Sequence, residues 1–226
     1  LKSPARKLTA DQKQLISLGR GLVREDVAGV LMDEPLTVID PDLKFRLRRN
    51  LKEINEQYKT TLVYVTHDQN EAMTFADNII VMDQGEIVQV GLPKDLFEKP
   101  RTTFVGYFIG SPAMNLFNSQ ILSDNSLKFN NDTIKTRTDL SKIKNKNVKL
   151  GIRSEFIKIA TDQKENVVSV KVTRVEDLGN YKLITAKMGD FTIKSKVTRE
   201  TEIPSQDVKL HIPAEKCCVY ENNKLI

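Results

Sequence analysis

Apolar positions in the first half of the chain recur at two different periods, and the two alternate. Leu15, Leu18 and Leu22 stand at helical spacing and predict a helix over 12–24, whereas 28–32 is a short unbroken apolar run of the kind that forms a buried strand. Leu43, Leu47, Leu51, Ile54 and Tyr58 lie on one stripe of a helix over 42–58, with Asp40 placed to cap it and Pro41 at its first position. Residues 61–65 read as a second strand and 69–76 as a third helical stretch. Residues 78–83 and 86–90 flank Gln84-Gly85 as a hairpin. Strands that alternate with helices predict an α/β layer with a largely parallel sheet.

Past Gly110-Ser111-Pro112 the helical period disappears. Short alternating runs take over at 148–152, 167–175, 181–188, 191–197 and 208–212, with turns at Asn130-Asn131, Gly179-Asn180, Gly189-Asp190 and Pro204. The expected architecture is an α/β domain over 1–112 followed by a small all-β domain, barrel or sandwich, over 113–226.

Composition narrows the function classes. Of 226 residues, 39% are hydrophobic and 29% charged, the balance of a folded globular chain. The longest apolar runs fall far short of the ~20 residues of a membrane helix. The two cysteines, Cys217 and Cys218, are adjacent; they cannot staple distant segments, and packing suits them better than metal binding. Net charge is uneven: residues 1–110 carry 15 basic and 16 acidic side chains, and 111–226 carry 20 and 14. The basic residues of the second half are interleaved with apolar ones, which describes solvated strand faces. Phe129, Phe156, Tyr181, Phe191 and Tyr220 suit a core, so a nucleic-acid surface is not expected.

The chemistry gathers at two strand ends. Val30-Leu31-Met32-Asp33-Glu34 delivers two acids to the edge of the sheet, where α/β folds bind ligands. Asp33 there can hold Mg²⁺ on a nucleotide, and Glu34 can polarise an attacking water. The run Val63-Tyr64-Val65-Thr66-His67-Asp68 ends in an imidazole that can meet a terminal phosphate or position that water. Taken singly, His67 is a turn residue and Asp40 a helix cap.

Together these segments resemble the ATP-binding subunits of ABC transporters. Leu31-Met32-Asp33-Glu34-Pro35-Leu36 is similar to the Walker B strand, Thr37-Val38-Ile39-Asp40 to the D-loop, and Thr66-His67-Asp68-Gln69-Asn70-Glu71-Ala72-Met73 to the switch-histidine region. Val81–Ile87 and Phe108–Asn115 resemble importers of sugars, polyols and glycerol phosphates. In those importers a β regulatory domain of oligonucleotide-fold type follows, which Leu150–Glu155 and Val175–Gly179 resemble. The resemblance implies the C-terminal part of a P-loop NTPase domain joined to that barrel. It further implies ATP and Mg²⁺ as cofactors, Glu34 and His67 as catalytic groups, Asp33 as the metal ligand, and Asp40 for communication across an ATPase dimer. The implied partners are a second ATPase subunit, the transmembrane permease and, indirectly, a solute-binding protein, at the cytoplasmic face of the membrane. A non-catalytic scaffold subunit of the same class is the alternative.

Two departures qualify this. No G-x-x-x-x-G-K-[ST] sequence is present among the ten glycines, so the chain is expected to be a fragment that does not turn over ATP alone. Leu8-Thr9-Ala10-Asp11-Gln12 also stands where the family has Leu-Ser-Gly-Gly-Gln. That loop offers helix N-terminal N–H groups to the partner's γ-phosphate, and glycines permit the close approach. Asp11 adds a negative charge instead; at an effective dielectric of ~20, two unit charges ~4 Å apart repel by about 4 kcal/mol. The resemblance implies Asp33, Asp40, Thr9 and Gln12 as nucleotide-binding residues; read from the residues alone, Thr9 and Gln12 fit a capping box. The expected assembly is an asymmetric heterodimer with one impaired ATP site, a homodimer being the other possibility.

Overall fold

In the computed structural model, which describes residues 4–24, 27–204 and 207–226, the first long element is helix α1 (Ala10–Leu22). It starts two residues before the expected position because the Thr9–Gln12 capping box sets its N-terminus: the Gln12 side chain accepts from the Thr9 amide at 3.2 Å. Strand β1 (Gly29–Asp33) follows, then helix α2 (Pro41–Tyr58), strand β2 (Thr61–Val65) and helix α3 (Gln69–Phe75). Asp40 caps α2 as expected, accepting from the Asp42 amide at 3.0 Å, and Lys59 closes it in the left-handed conformation.

β1 and β2 are parallel, in register from Gly29 opposite Thr61 to Asp33 opposite Val65. The pairing needs glycine at its start, since a Cβ on Gly29 would stand 3.0 Å from the Thr61 carbonyl oxygen. Met32, Leu36, Ile39 and Leu51 are buried, while Tyr58, expected on the apolar stripe of α2, is 66% exposed.

The described residues fall into two compact units that divide between Ile79 and Ile80. Strand β3 (Ile79–Asp83) pairs with β4 (Glu86–Gly91) across Gln84-Gly85, both at positive φ (49° and 83°), the geometry of a type I′ turn. Two short helices that the sequence pattern does not reveal, α4 (Pro93–Glu98) and α5 (Thr103–Phe108), come next. At six residues each they are too short to display a period, yet Leu96 and Val105 are completely buried. Met82, on β3, is 60% exposed.

The chain then runs through β5 (Asn115–Ser123), β6 (Ser126–Phe129), β7 (Asp132–Lys135), β8 (Asn147–Ile152) and β9 (Lys158–Ile159). It continues through β10 (Val167–Asp177), β11 (Tyr181–Met188), β12 (Phe191–Thr198), β13 (Asp207–His211), β14 (Cys218–Glu221) and β15 (Lys224–Leu225). Six strands form one sheet in the order β15-β14-β8-β5-β6-β7, and five form a second in the order β12-β11-β10-β13-β9. The described architecture is therefore mixed helix and sheet with mainly β content, its only parallel pair among the described residues being β1-β2. Strands β5 to β7 escape the sequence reading because polar Asn115, Ser119 and Ser126 occupy buried positions, which breaks the apolar alternation of β5 and β6, and β7 is only four residues long.

The main core of this β-rich unit holds Phe117, Leu127, Phe129, Leu150, Val168, Ile184, Ile193, Leu210 and Val219, all essentially inaccessible. Phe117, Phe129 and Phe191 pack with ring centroids 4.7–5.5 Å apart. Each such side chain contributes about 2–3 kcal/mol by leaving water. Polar staples complete it. Asn115 on β5 donates to the carbonyls of Ile152 (3.2 Å) and Lys194 (2.9 Å) and accepts from the Lys194 amide (2.8 Å). Asn166 likewise accepts from the Lys135 amide and donates to the carbonyls of Lys135 and Ile212, at 2.8–2.9 Å. Both asparagines hydrogen-bond backbone groups from the two sheets and so tie them together.

Arg153, 1% exposed, fastens the two short helices to the end of β8. Its Nε donates to the Phe97 carbonyl (2.9 Å) and its Nη1 to the carbonyls of Gly106 (2.8 Å) and Ile109, with the guanidinium 4.5 Å over the Phe97 ring. Burial holds its pKa below the usual arginine value. Tyr220 adds a bond to the Pro100 carbonyl at 3.1 Å. Its ring lies so close to the chain that a Cβ on Gly151 would come within 2.7 Å of it. Cys218 is buried and Cys217 half-buried; burial pushes the Cys217 thiol up to about 12.

Candidate functional site

The site begins with a backbone conformation. Immediately after β1, Glu34 adopts φ of +46°, which a residue with a side chain this size rarely takes. Its amide donates to the Val65 carbonyl at 2.9 Å, extending the β1–β2 pairing by one bond beyond Asp33. Buried Pro35, Leu36 and Ile39 then pin the following turn, leaving Thr37 and Asp40 exposed. Strained left-handed backbone of this kind persists only where the surroundings hold it, and it concentrates at functional positions.

Parallel register brings the ends of β1 and β2 side by side, so that Glu34, the residue after β1, meets His67, the second residue after β2. Glu34 Oε1 accepts from the His67 amide at 2.9 Å and lies 2.6 Å from His67 Nδ1. Glu34 Oε2 accepts from the Thr37 hydroxyl at 2.8 Å, and that hydroxyl also lies 3.2 Å from the Glu34 carbonyl oxygen. Partial burial pushes the Glu34 carboxyl up, but the bonds from Thr37 and His67 outweigh it and hold the group below the usual carboxylate range. Glu34 is thus an ionised acceptor beside an imidazole that remains 77% exposed. Asp33, one residue earlier, closes β1 with its carboxylate exposed.

A second layer holds the imidazole's loop. Asp68 caps α3, accepting from the amides of Asn70 (2.8 Å) and Glu71 (3.3 Å), and its own amide donates to the Thr66 hydroxyl (3.0 Å). Glu71, 3% exposed, accepts from the Tyr64 hydroxyl (2.8 Å) and the Thr66 hydroxyl (3.1 Å) through Oε2. Its Oε1 faces Lys44 (3.4 Å) and Arg48 (3.6 Å) of α2. Burial and the bond to Glu71 push the Tyr64 phenol well above its usual value.

The remaining expected site residues lie apart from this group. Asp40 is spent as the cap of α2. Thr9 and Gln12 form the capping box of α1, and the Thr9 hydroxyl donates to the Asp11 carboxylate, a bond that holds the Asp11 carboxyl below the usual range. Among the described residues no hydrogen bond joins Thr9, Gln12 or Asp40 to Glu34 or His67; α1 reaches the turn through Gln14, whose amide donates to the Pro35 carbonyl at 2.9 Å. The sequence reading brought Asp33, Glu34 and His67 forward but gave no individual role to Thr37, Gln14, Tyr64 or Glu71. An acid in the first turn of a capped helix was the one available signal for Glu71.

The MalK OB fold domain family model matches residues 110–157, from the end of α5 to just past Arg153. The sn-glycerol-3-phosphate import ATP-binding protein UgpC of Pectobacterium atrosepticum is 34% identical over 98% of this chain and 62% of its own length. The trehalose/maltose import ATP-binding protein MalK of Thermococcus litoralis is 36% identical over 88% of this chain and 56% of its own. The oligosaccharides import ATP-binding protein MsmX of Bacillus subtilis is 35% identical over 88% and 57%. A molybdate-binding protein, ModG, covers 46% of this chain at a TM-score of 0.39 and 15% identity, a likeness too slight to argue from. The chain spans 56–62% of the length of these import proteins, and along nearly its whole length it is similar to these sugar and glycerol-phosphate import ATP-binding proteins.

Proposed function

We propose that this chain supplies one half of an ATP-hydrolysing site to an ABC importer of a carbohydrate, polyol or glycerol-phosphate-type solute, with residues 1–112 the partial ATPase domain and 113–226 the β regulatory domain. The observation that carries the reading is the meeting of Glu34 and His67 at 2.6 Å across two parallel strand ends. A carboxylate kept ionised beside an exposed imidazole can accept a proton from water and present a donor to a phosphate. Glu34 acts as the general base. His67, held by its amide and Nδ1 to Glu34, turns its other ring nitrogen to the γ-phosphate. Asp33 suits Mg²⁺, which is commonly held by one or two carboxylates plus substrate phosphates. When bound there, Mg²⁺ neutralises charge on the phosphates. Asp40, Thr9 and Gln12 serve the dimer contact, Asp40 by setting the start of α2 and the other two by setting the start of α1.

Asp11 argues for an asymmetric assembly. Its carboxylate, ionised and tied to Thr9, stands in the first turn of α1 where a phosphate would arrive. The site damaged by it is the partner's, whereas Asp33, Glu34 and His67 serve the site of their own subunit. The full subunit thus works in a heterodimer, peripheral to the cytoplasmic face of the membrane and docked on transmembrane permease subunits; among the described residues no helix is long and apolar enough to cross a membrane.

The test uses the full-length subunit assembled with its partner ATPase and permease. Glu34→Gln is expected to reduce ATP turnover by at least about 100-fold with nucleotide binding retained. Turnover that survives Glu34→Gln favours the scaffold reading. Ala10→Gly with Asp11→Gly is expected to raise turnover at the second site, and an unchanged rate counts against the asymmetry.

A further inference from the structure

We infer that Thr37 is a positioning residue for the Glu34 carboxylate, an assignment that rests on the proposed role of Glu34 as base. A carboxylate offers about four lone-pair positions, two on each oxygen. At Glu34 three are engaged: the His67 amide and His67 Nδ1 converge on Oε1, and the Thr37 hydroxyl takes one position on Oε2. One lone pair remains, on Oε2, and it is the one available to a water. Two donors on Oε1 alone would tether that oxygen and leave the carboxylate free to swing Oε2 about it. The bond from Thr37 removes that freedom and fixes the direction in which the last lone pair points.

The backbone makes Thr37 suited to this. The Thr37 amide lies 3.3 Å from the Glu34 carbonyl oxygen and closes the turn, and the hydroxyl spans from that carbonyl to the carboxylate. The donor therefore belongs to the same rigid turn as the base, pinned on both sides by buried Leu36 and Ile39. General-base catalysis depends on such orientation, since a small misplacement of the acceptor lengthens the proton transfer. Thr37 itself touches no reacting atom.

Thr37→Val removes the hydroxyl while keeping the branched shape, and Thr37→Ser keeps the hydroxyl while losing a methyl. In the full-length subunit assembled with its partner and permease, Thr37→Val is expected to lower kcat about tenfold with KM for ATP changed by less than about twofold, as for an interaction used in the transition state. Thr37→Ser is expected to restore most of the rate. A wild-type kcat for Thr37→Val overturns the assignment. So does an equal loss in the serine variant, because that assigns the effect to packing. Glu34→Gln measured alongside separates the two levels: if it leaves turnover intact, the base itself is misassigned; if it abolishes turnover while Thr37→Val does not, only the positioning role fails.

Discussion

Glu34 Oε1 and His67 Nδ1, 33 positions apart in sequence, stand 2.6 Å apart because β1 and β2 are parallel and end level with each other. The residue after Asp33 and the second residue after Val65 then reach the same point. His67 holds Glu34 through its backbone amide as well as its ring. Replacing the ring alone therefore leaves one bond to the carboxylate. His67→Ala in the full-length assembly is expected to lower kcat by about 100-fold with little change in KM, measured by steady-state ATP hydrolysis.

Glu71 carries a different load. Among the described residues it is the carboxylate that faces Lys44, Arg48 and the hydroxyls of Tyr64 and Thr66. Glu71→Ala strands these groups and is expected to destabilise the fold by about 3 kcal/mol. Tyr64→Phe removes one donor and is expected to cost about 1 kcal/mol. Urea unfolding monitored by circular dichroism separates the two, and equal midpoints would refute the assignment of Glu71 as the shared partner.

Arg153 is a buried cation held by carbonyls and an aromatic face. Lysine cannot reproduce the fork that reaches Phe97, Gly106 and Ile109 together. Arg153→Lys is expected to lose about 2 kcal/mol or more, since carbonyls left without donors keep their desolvation cost. A lysine variant with wild-type unfolding behaviour would show that the carbonyls find other donors.

The cysteines offer a pH test. With the Cys217 thiol raised to about 12, almost none of it is thiolate at pH 8. Raising the pH toward that value increases the thiolate fraction and hence alkylation. Iodoacetamide is expected to leave the folded chain unmodified at pH 8 and to label Cys217 and Cys218 together once the chain is unfolded, read by mass spectrometry. Rapid labelling of the native chain would contradict the burial of this pair.

Features that depend on neighbours along the chain are legible before it folds. The stripe of α2, its Asp40 cap, the Gln84-Gly85 turn, the Thr9–Gln12 box and the acids at the end of β1 all follow from local spacing, because helix period, capping and turn geometry are set within a few residues. Which distant groups share a point is set by the folded chain. The Thr37–Glu34–His67 contacts depend on strand register, and the Glu71 node depends on α2 crossing from β1 to β2. Asn115 and Asn166 look like ordinary surface amides until the two sheets close on them, and Arg153 looks like a strand-end cation until α4 and α5 present their carbonyls. Buried polar groups are legible only with their partners, and partners across a fold are chosen by packing, which no local period encodes.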